Sequence, residues 1–335
     1  MSSSDTHARG SPPEGELSED ELASCVRAAI RAPSLHNSQP WRFRYRSGGV
    51  EVFADQTRRL EVIDPSGREL MISVGAAIFN LRLAMRQLGR VPTVRLFPDP
   101  AAPNLVAAVV PGAIAPPSGA LSTLADAIPH RHTNRRPFAR VAIPAVVLDE
   151  LADAARLEGA ELRVADAVAR NAILSIVRTA EQRLRGHGRY RAELTEWTRP
   201  RRGRPEGVPV PAFGPWAALE TLPLRDFGLT LPQLRRGAEP FEPFPTIMVL
   251  TSQGDTAPSW VASGQALQRV LLAATTHNLA ATPMSQPLEI PALRELVTHT
   301  ATGRRAQVIL RIGYGPPTTP TPRRPLADVL LPRQD

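Results

Sequence analysis

Apolar positions along this chain change their period several times, and each change marks an element. Leu22, Cys25, Val26, Ala29 and Ile30 recur at helical spacing. Ser18 with Glu21 forms a capping box ahead of them, so a helix is predicted from about residue 19 until Pro33 stops it. Trp41, Phe43 and Tyr45 then alternate with Arg42, Arg44 and Arg46, the period-two pattern of a strand buried on one face. Ser47-Gly48-Gly49 turns that strand, and Val50 to Ala54 returns as the second arm of a hairpin. A second capping box, Ser66 to Glu69, is expected to open the most apolar helix of the first half, carrying Ile72 to Met85, with Gly89 closing it in a left-handed conformation. Strands are predicted at 93–97 and 105–110.

Pro116-Pro117-Ser118-Gly119 reads as a linker and is the best boundary in the chain. Beyond it the pattern predicts helices over about 121–129, 144–157, 166–185, 260–276 and 291–298, with strands at 161–164, 246–250 and 307–312. Between 198 and 245 prolines, glycines and arginines replace periodicity; a stretch that long is a functional lid or a disordered segment. Pro316 to Pro325 is too proline-rich for a helix or a central strand and is expected to run extended over other surfaces. Residues 1–16, rich in Ser, Pro, Gly and acid, read as a disordered tail. Strands mixed with helices give an α+β class. The chain divides into an N-terminal half over 17–115 and a C-terminal half over 120–335 that carries the insertion at about 198–245.

Composition narrows the function classes. The chain has 335 residues, 42% of them hydrophobic and 21% charged, ordinary values for a globular protein able to bury one large core or two modest ones. Aromatics are only 5%, so the core is expected to rest on aliphatics and close helix packing. The formal charge is +8, carried by arginine alone, since the sequence holds no lysine. Those arginines are scattered among acids rather than gathered in a basic tail, which makes nucleic-acid binding the weakest of the readings; it predicts steeply salt-dependent DNA affinity. Cys25 is the single cysteine, so an intrachain disulfide is excluded. No apolar run approaches the ~20 residues of a membrane span. The expected compartment is the cytoplasm.

Two short strings carry candidate chemistry. In Arg131-His132-Thr133-Asn134-Arg135-Arg136-Pro137-Phe138, guanidinium forks, a hydroxyl and an imidazole can converge on one phosphate. Arg323-Arg324, on a stiff proline-rich segment, offers the opposing side of such a clamp; a solvated cationic turn is the alternative. In Pro33-Ser34-Leu35-His36-Asn37-Ser38-Gln39-Pro40-Trp41, polar groups crowd between two prolines before a strand begins. A capped loop bonding its own backbone accounts for the polar residues, though not for their density. His130 and His132 lack a third ligand for a metal, and no P-loop, Gly-x-Ser-x-Gly elbow or Gly-x-Gly-x-x-Gly fingerprint is present.

Together the two strings resemble the flavin-contacting segments of FMN-dependent nitroreductases. In ordinary members the basic phosphate motif precedes the Pro-Ser segment within one domain; here the order is reversed and the gap is longer. That arrangement is similar to the Acg-type nitroreductase-like proteins, in which one chain imitates the family homodimer and holds a single FMN between its halves. The resemblance spans roughly residues 18–332, including Gly207-Val208-Pro209 to Gly214-Pro215-Trp216 and the ending Pro322-Arg323-Arg324-Pro325-Leu326. It implies that Arg131, His132 and Thr133, with Arg323 and Arg324, hold the phosphate. Arg135, or Arg136 after a one-residue slip, would approach the flavin N1–O2 edge. Pro33, Ser34, Leu35 and Asn37 would border the ring and ribityl chain from the other half. Met284-Ser285-Gln286-Pro287 matches the segment whose backbone approaches flavin N5, where the chemistry occurs.

The resemblance further implies an FMN oxidoreductase to which NAD(P)H binds transiently as electron donor and which passes two electrons to an unidentified electron-poor small molecule. It implies a monomer containing an internal pseudo-dimer, with neither nucleic acid nor membrane as partner. The 198–245 insertion falls where the family carries a lid over the isoalloxazine, which supports the alternative of a protein that stores or sequesters FMN without turnover.

Overall fold

The computed structural model describes residues 17–46, 48–199, 205–217, 222–231, 233–298 and 304–333. The tail 1–16 expected to be disordered, part of the insertion (200–204, 218–221 and 232) and residues 299–303 lie outside them. In chain order the helices and strands are α1 (Glu19–Ala29), β1 (Trp41–Arg46), β2 (Gly49–Ala54), α2 (Arg68–Gln87), β3 (Arg90–Leu96), β4 (Leu105–Ile114), α3 (Gly119–Asp126), α4 (Ala145–Arg156), β5 (Glu161–Val164), α5 (Ala167–Gly186), α6 (Gly188–Thr198), β6 (Trp216–Ala217), β7 (Ala238–Glu239), β8 (Thr246–Ser252), α7 (Ala257–Thr276), β9 (Ala280–Pro283), α8 (Pro291–Val297), β10 (Arg305–Gly313) and α9 (Leu326–Val329). Among the described residues no helix is long and apolar enough to cross a membrane.

The first capping box forms as expected: Glu21 N donates to Ser18 Oγ at 3.3 Å and Ser18 N donates to the Glu21 carboxylate at 2.7 Å. The second does not. Helix α2 starts from Gly67 in the left-handed region (φ 73), and the Asp64 carboxylate accepts from Glu69 N at 3.0 Å and Leu70 N at 2.8 Å. Glu69, which a capping box would turn back toward Ser66, pairs instead with Arg68. Five elements carried no sequence prediction: α6, whose apolar positions are broken up by arginines and a glycine, β9, only four residues long, the two-residue strands β6 and β7 inside the insertion, and the four-residue α9.

Eight of the strands form two four-stranded antiparallel sheets, in the orders β1-β2-β4-β3 and β5-β8-β10-β9, and β6 and β7 pair in parallel as a separate two-stranded sheet. The two orders are the same path: the first two strands pair, the chain leaves through a long helix, and the last strand returns beside the second. The long helix is α2 in one case and α7 in the other, each of 20 residues. Each sheet packs its own apolar cluster against that helix, with Val74, Ile78 and Leu81 in one and Leu267, Val270 and Leu271 in the other.

Helices α2 and α7 cross at backbone contact, through Gly75 and Gly264. A Cβ at Gly75 would run into the Val261 carbonyl oxygen, and a Cβ at Gly264 into the Ile72 carbonyl oxygen. The contact is reciprocal, each glycine meeting the carbonyl three residues before the other. Buried Gln268 Nε2 donates to buried Asn80 Oδ1 at 2.7 Å one turn further along. Small residues are what allow backbones this close, so the expected reliance on close helix packing is met at the centre of the molecule.

After β10 the chain runs back to the first sheet. Leu331 N donates to Phe43 O at 2.7 Å on the edge of β1, and Val329 is buried in the first core. The proline-rich segment 316–325 spans this gap without helix or strand, as its composition required.

Gly75→Ala and Gly264→Ala are each expected to cost about 2–3 kcal/mol of unfolding free energy, because overpacking here meets backbone rather than a movable side chain. Gly119→Ala, where nothing lies within 4 Å, is expected to be neutral or slightly stabilising. Urea denaturation of the three variants checks both statements.

Candidate functional site

The segment between α1 and β1 is held in an uncommon shape. His36 (φ 50), Asn37 (φ 55) and Gln39 (φ 53) all occupy the left-handed region, costing about 1–3 kcal/mol each unless the surroundings enforce it. Those surroundings are distant in sequence. Asn37 Nδ2 lies within 3.0–3.3 Å of the carbonyls of Gly207, Pro322 and Pro205, and Gln39 Nε2 donates to Pro205 O at 3.0 Å. Gln39 Oε1 accepts from Arg324 N at 2.8 Å, and Ser34 Oγ accepts from Gln39 N at 2.9 Å. The polar density of this string therefore serves mainly tertiary links to the insertion and to the C-terminal segment; Ser34 bonds locally, and Gln39 Nε2 also reaches Asn37 O at 3.4 Å.

The second string is bound to β9. Thr133 bridges Ala281, Asn134 N donates to Ala281 O at 3.0 Å, and the Thr282 hydroxyl donates to Asn134 O. This pairing aims Thr133 and Arg135 at the chain that follows β9. Pro33, Ser34 and Leu35 of the first string, Thr133 and Arg135 of the second, and Met284, Ser285 and Gln286 after β9 line one cavity of about 90 Å³. Glu69 and Ser73 of α2 complete it on one side, and Leu224, Arg225 and Phe227 of the insertion on another. Pro287 sits beyond the cavity in the buried turn Gln286–Glu289.

Beside the cavity lies a group of cations that has no carboxylate partner among the described residues. Arg131 is 5% exposed and donates only to Arg31 O, at 3.4 Å. Arg323 reaches the same Arg31 carbonyl at 3.4 Å, as well as Ala32 O at 3.2 Å and Asn37 Oδ1 at 2.9 Å. The Nε of each guanidinium is buried without a partner. Burial pushes Arg131 down to about 10; burial with the charges of Arg131 and Arg31 pushes Arg323 down to about 9. His132 falls to about 4, through burial first and then Arg131, Arg323 and Arg31. Two guanidiniums on one acceptor repel by about 3–4 kcal/mol at an effective dielectric of 20, and a dianion placed between them removes that cost. This donor set fits a phosphate.

Arg324 does not join these cations. Successive residues of an extended chain point to opposite sides, so Arg323 faces Arg131 while Arg324 faces Glu206 at 3.6 Å and Asp55 at 4.0 Å. Between the two candidates left open for the cavity, Arg135 lines it and Arg136 lies at the surface, 3.4 Å from Glu239. Arg135 donates to Ala212 O at 2.8 Å, stacks 4.5 Å above the Phe227 ring and has no carboxylate partner; burial, then Arg225, lowers it to about 10. Arg225 is anchored by Glu289, by the Tyr190 hydroxyl at 2.8 Å and by Ser285 Oγ at 3.3 Å.

Sequence reasoning passed over Glu69, Arg225, Phe227 and the ring of His36. Glu69 looked like a capping residue, and the insertion has no periodicity to reveal an inward side chain. His36 stood inside a quoted motif, yet nothing in the sequence says that its imidazole lines the cavity. Among the described residues no three His, Cys, Asp or Glu side chains gather as a metal site.

No family model matches the sequence. Curated relatives do. "Putative NAD(P)H nitroreductase Rv3131" of Mycobacterium tuberculosis (strain H37Rv) is 34% identical over 326 residues, 93% of this chain and 91% of that protein. The like-named acg of the same strain is 31% identical over 326 residues, 95% of this chain and 97% of its own length. Among solved structures, a nitroreductase with bound FMN from Desulfitobacterium hafniense superposes with a TM-score of 0.39 at 14% identity, covering 63% of this chain and 98% of the other.

Two outcomes follow from the cation group. Arg131→Met is expected to raise the Tm of the ligand-free protein, since it removes an unpaired buried charge, and to abolish stabilisation by inorganic phosphate; differential scanning calorimetry with and without phosphate reads both. His132 has a folded pKa below its unfolded one, so the unfolded chain binds more protons and stability falls as pH drops from 6.5 to about 4. His132→Gln is expected to flatten that slope in urea titrations across the same range.

Proposed function

This chain belongs to the Acg-type family of nitroreductase-like proteins, and from that premise we propose that it binds one FMN between its two halves. We propose further that it acts as an NAD(P)H-dependent oxidoreductase on an electron-poor small molecule. The observation that carries the reading is the pair of carboxylate-free guanidiniums, Arg131 and Arg323, sharing the Arg31 carbonyl beside a cavity walled by both strings. When bound, the flavin supplies two-electron redox chemistry.

The residues divide the work. Arg131 and Arg323, with His132 alongside, take the phosphate, and the charge they gain as partner offsets the cost of their burial. Arg135 brings a positive charge to the ring edge and favours anionic character there. Thr133 and the segments 33–35 and 284–286 form the walls that orient the ring. Asn37 does not line the cavity; through its bond to Arg323 and its three carbonyl contacts it acts as a positioning residue for the phosphate clamp. The lid residues Leu224, Arg225 and Phe227 exclude water from the same space.

The matching strand orders of the two sheets and the reciprocal crossing of α2 and α7 support an internal pseudo-dimer, so the chain is read as a monomer. A cytoplasmic compartment suits a protein that uses a nicotinamide donor and carries one buried cysteine.

A second reading is favoured by the lid. The cavity of about 90 Å³ is small beside the 300–1,000 Å³ of ordinary small-molecule pockets, and the lid wall is fastened by a buried ion pair, Arg225–Glu289. A lid that stays shut over the flavin makes the protein a flavin store rather than a reductase.

The purified protein is expected to be yellow and to release FMN on heating. Arg131→Ala is expected to weaken FMN binding about ten- to a hundredfold, the worth of a charge-assisted bond, while His36→Ala changes it less than threefold. Equal effects overturn the phosphate assignment. Stopped-flow mixing with NADH or NADPH separates the two readings: rapid bleaching of the flavin absorbance supports a reductase, and tight binding without reduction supports storage.

A further inference from the structure

The imidazole of His36 lines the cavity, is 5% exposed, and has both ring nitrogens buried without a hydrogen-bond partner. An unsatisfied buried polar group is costly, and two on one ring in a left-handed residue compound that cost. The backbone around it is secured by the bonds of Ser34, Asn37 and Gln39, so the ring is held in this position rather than left there by slack. It packs edge-on against Phe227 of the lid, with centroids 5.2 Å apart, and the same phenyl ring lies under the Arg135 guanidinium. Arg135 and Arg225 are the cations near it, and Glu69, paired with Arg68, lines the same cavity; burial and the two cations hold its pKa well below 6.5. The ring is therefore neutral, with one N–H to give and one lone pair to receive.

We propose that His36 is the group that recognises the electron acceptor: its N–H donates to a carbonyl or nitro oxygen of a planar, electron-poor ring seated against Phe227. The inference rests on the reading of this cavity as a flavin site. In that reading the phosphate is held by Arg131 and Arg323 and the ring edge by Arg135 and Thr133, which leaves the imidazole uncommitted. His36 meets the part of the wall contributed by the insertion, through Phe227. Two nearby cations and a neutral donor favour an oxygen that carries partial negative charge over an apolar or cationic ligand.

The test uses the full chain loaded with FMN and labelled with ¹⁵N-histidine, with no nicotinamide present so that no turnover occurs. The probe is 1,4-naphthoquinone, with naphthalene as the control that lacks oxygen. His36→Asn assigns the imidazole signal and serves as the conservative variant, since asparagine tolerates the left-handed region and keeps an N–H. Naphthoquinone is expected to shift the His36 nitrogens and naphthalene to leave them in place. His36→Leu is expected to weaken naphthoquinone about tenfold with FMN affinity kept within twofold, and His36→Asn to retain the quinone within about threefold.

A nitrogen shift caused by FMN with none added by naphthoquinone assigns the imidazole to the cofactor and overturns the proposal. So do unmoved nitrogens, or a His36→Leu protein that binds the quinone unchanged. Should either variant fail to fold, the wild-type shifts decide alone, with His36 assigned by sequential NMR. Failure of the wild-type chain to bind FMN overturns the flavin reading instead. The quinone titration of the flavin-free chain then decides His36 separately, a shift sustaining the proposal and its absence overturning it.

Discussion

Everything at the centre of this molecule depends on two helices touching backbone to backbone. Gly75 and Gly264 let α2 and α7 approach until each presents its carbonyl to the other's missing side chain. The first turns of α2 supply Glu69, Ile72 and Ser73 to the cavity wall, and α7 supplies Leu267. The crossing thus sets the separation of the two sheets and also forms part of the cavity. A methyl group at either glycine pushes the helices apart and with them the two strings that face each other across the gap. The C-terminal segment closes the same arrangement from outside, carrying Arg323 from the second sheet to the edge of the first.

Buried charge in this protein comes in two kinds, and the difference locates the chemistry. Arg311 is fully buried but held by both oxygens of Glu242, at 2.6 and 2.7 Å, with the Phe138 ring 3.6 Å from its guanidinium; it is satisfied and structural. Arg68 and Arg225 likewise have Glu69 and Glu289. Arg131, Arg323 and Arg135 have carbonyls, an amide oxygen and, for Arg323, the Thr321 hydroxyl at 2.7 Å, and among the described residues no carboxylate. Removing one partner of a buried pair is strongly destabilising, so cations left bare in this way persist only where something compensates them. A chain selected for stability alone would have replaced them; their presence reads as cost accepted for an anion.

Much of the fold was legible because its signals are local. The Ser18–Glu21 box, the alternation from Trp41 to Arg46 and the long apolar helices each declare themselves within one element. What failed was decided elsewhere. Ser66 and Glu69 have the spacing of a capping box, but Asp64 and Arg68 compete for the same groups and win. Arg323 and Arg324 look interchangeable in sequence, yet an extended backbone sends them to opposite sides. Of the strings around Pro33 and Arg131, Pro33, Ser34, Leu35, Thr133 and Arg135 lie on two walls of the cavity, while Asn37, Arg131 and His132 do not line it. The third wall, from Leu224 to Phe227, lies in a stretch without periodicity, where only the folded chain shows which side chains turn inward.

In the proposed function, storage and turnover differ in whether the segment from Pro205 to Leu231 lifts from the cavity, and that segment is anchored at several points. Pro205 and Gly207 are tied to Asn37 and Gln39, Gly214 packs on the Arg135 backbone, and Arg225 is paired with Glu289. Lifting the last of these would separate Arg225 from Glu289 and expose both charges to water. What decides is whether an opening at Arg225 admits a nicotinamide as well as a smaller acceptor, and the left-handed, unpartnered imidazole at that same wall is placed to meet whichever molecule comes through.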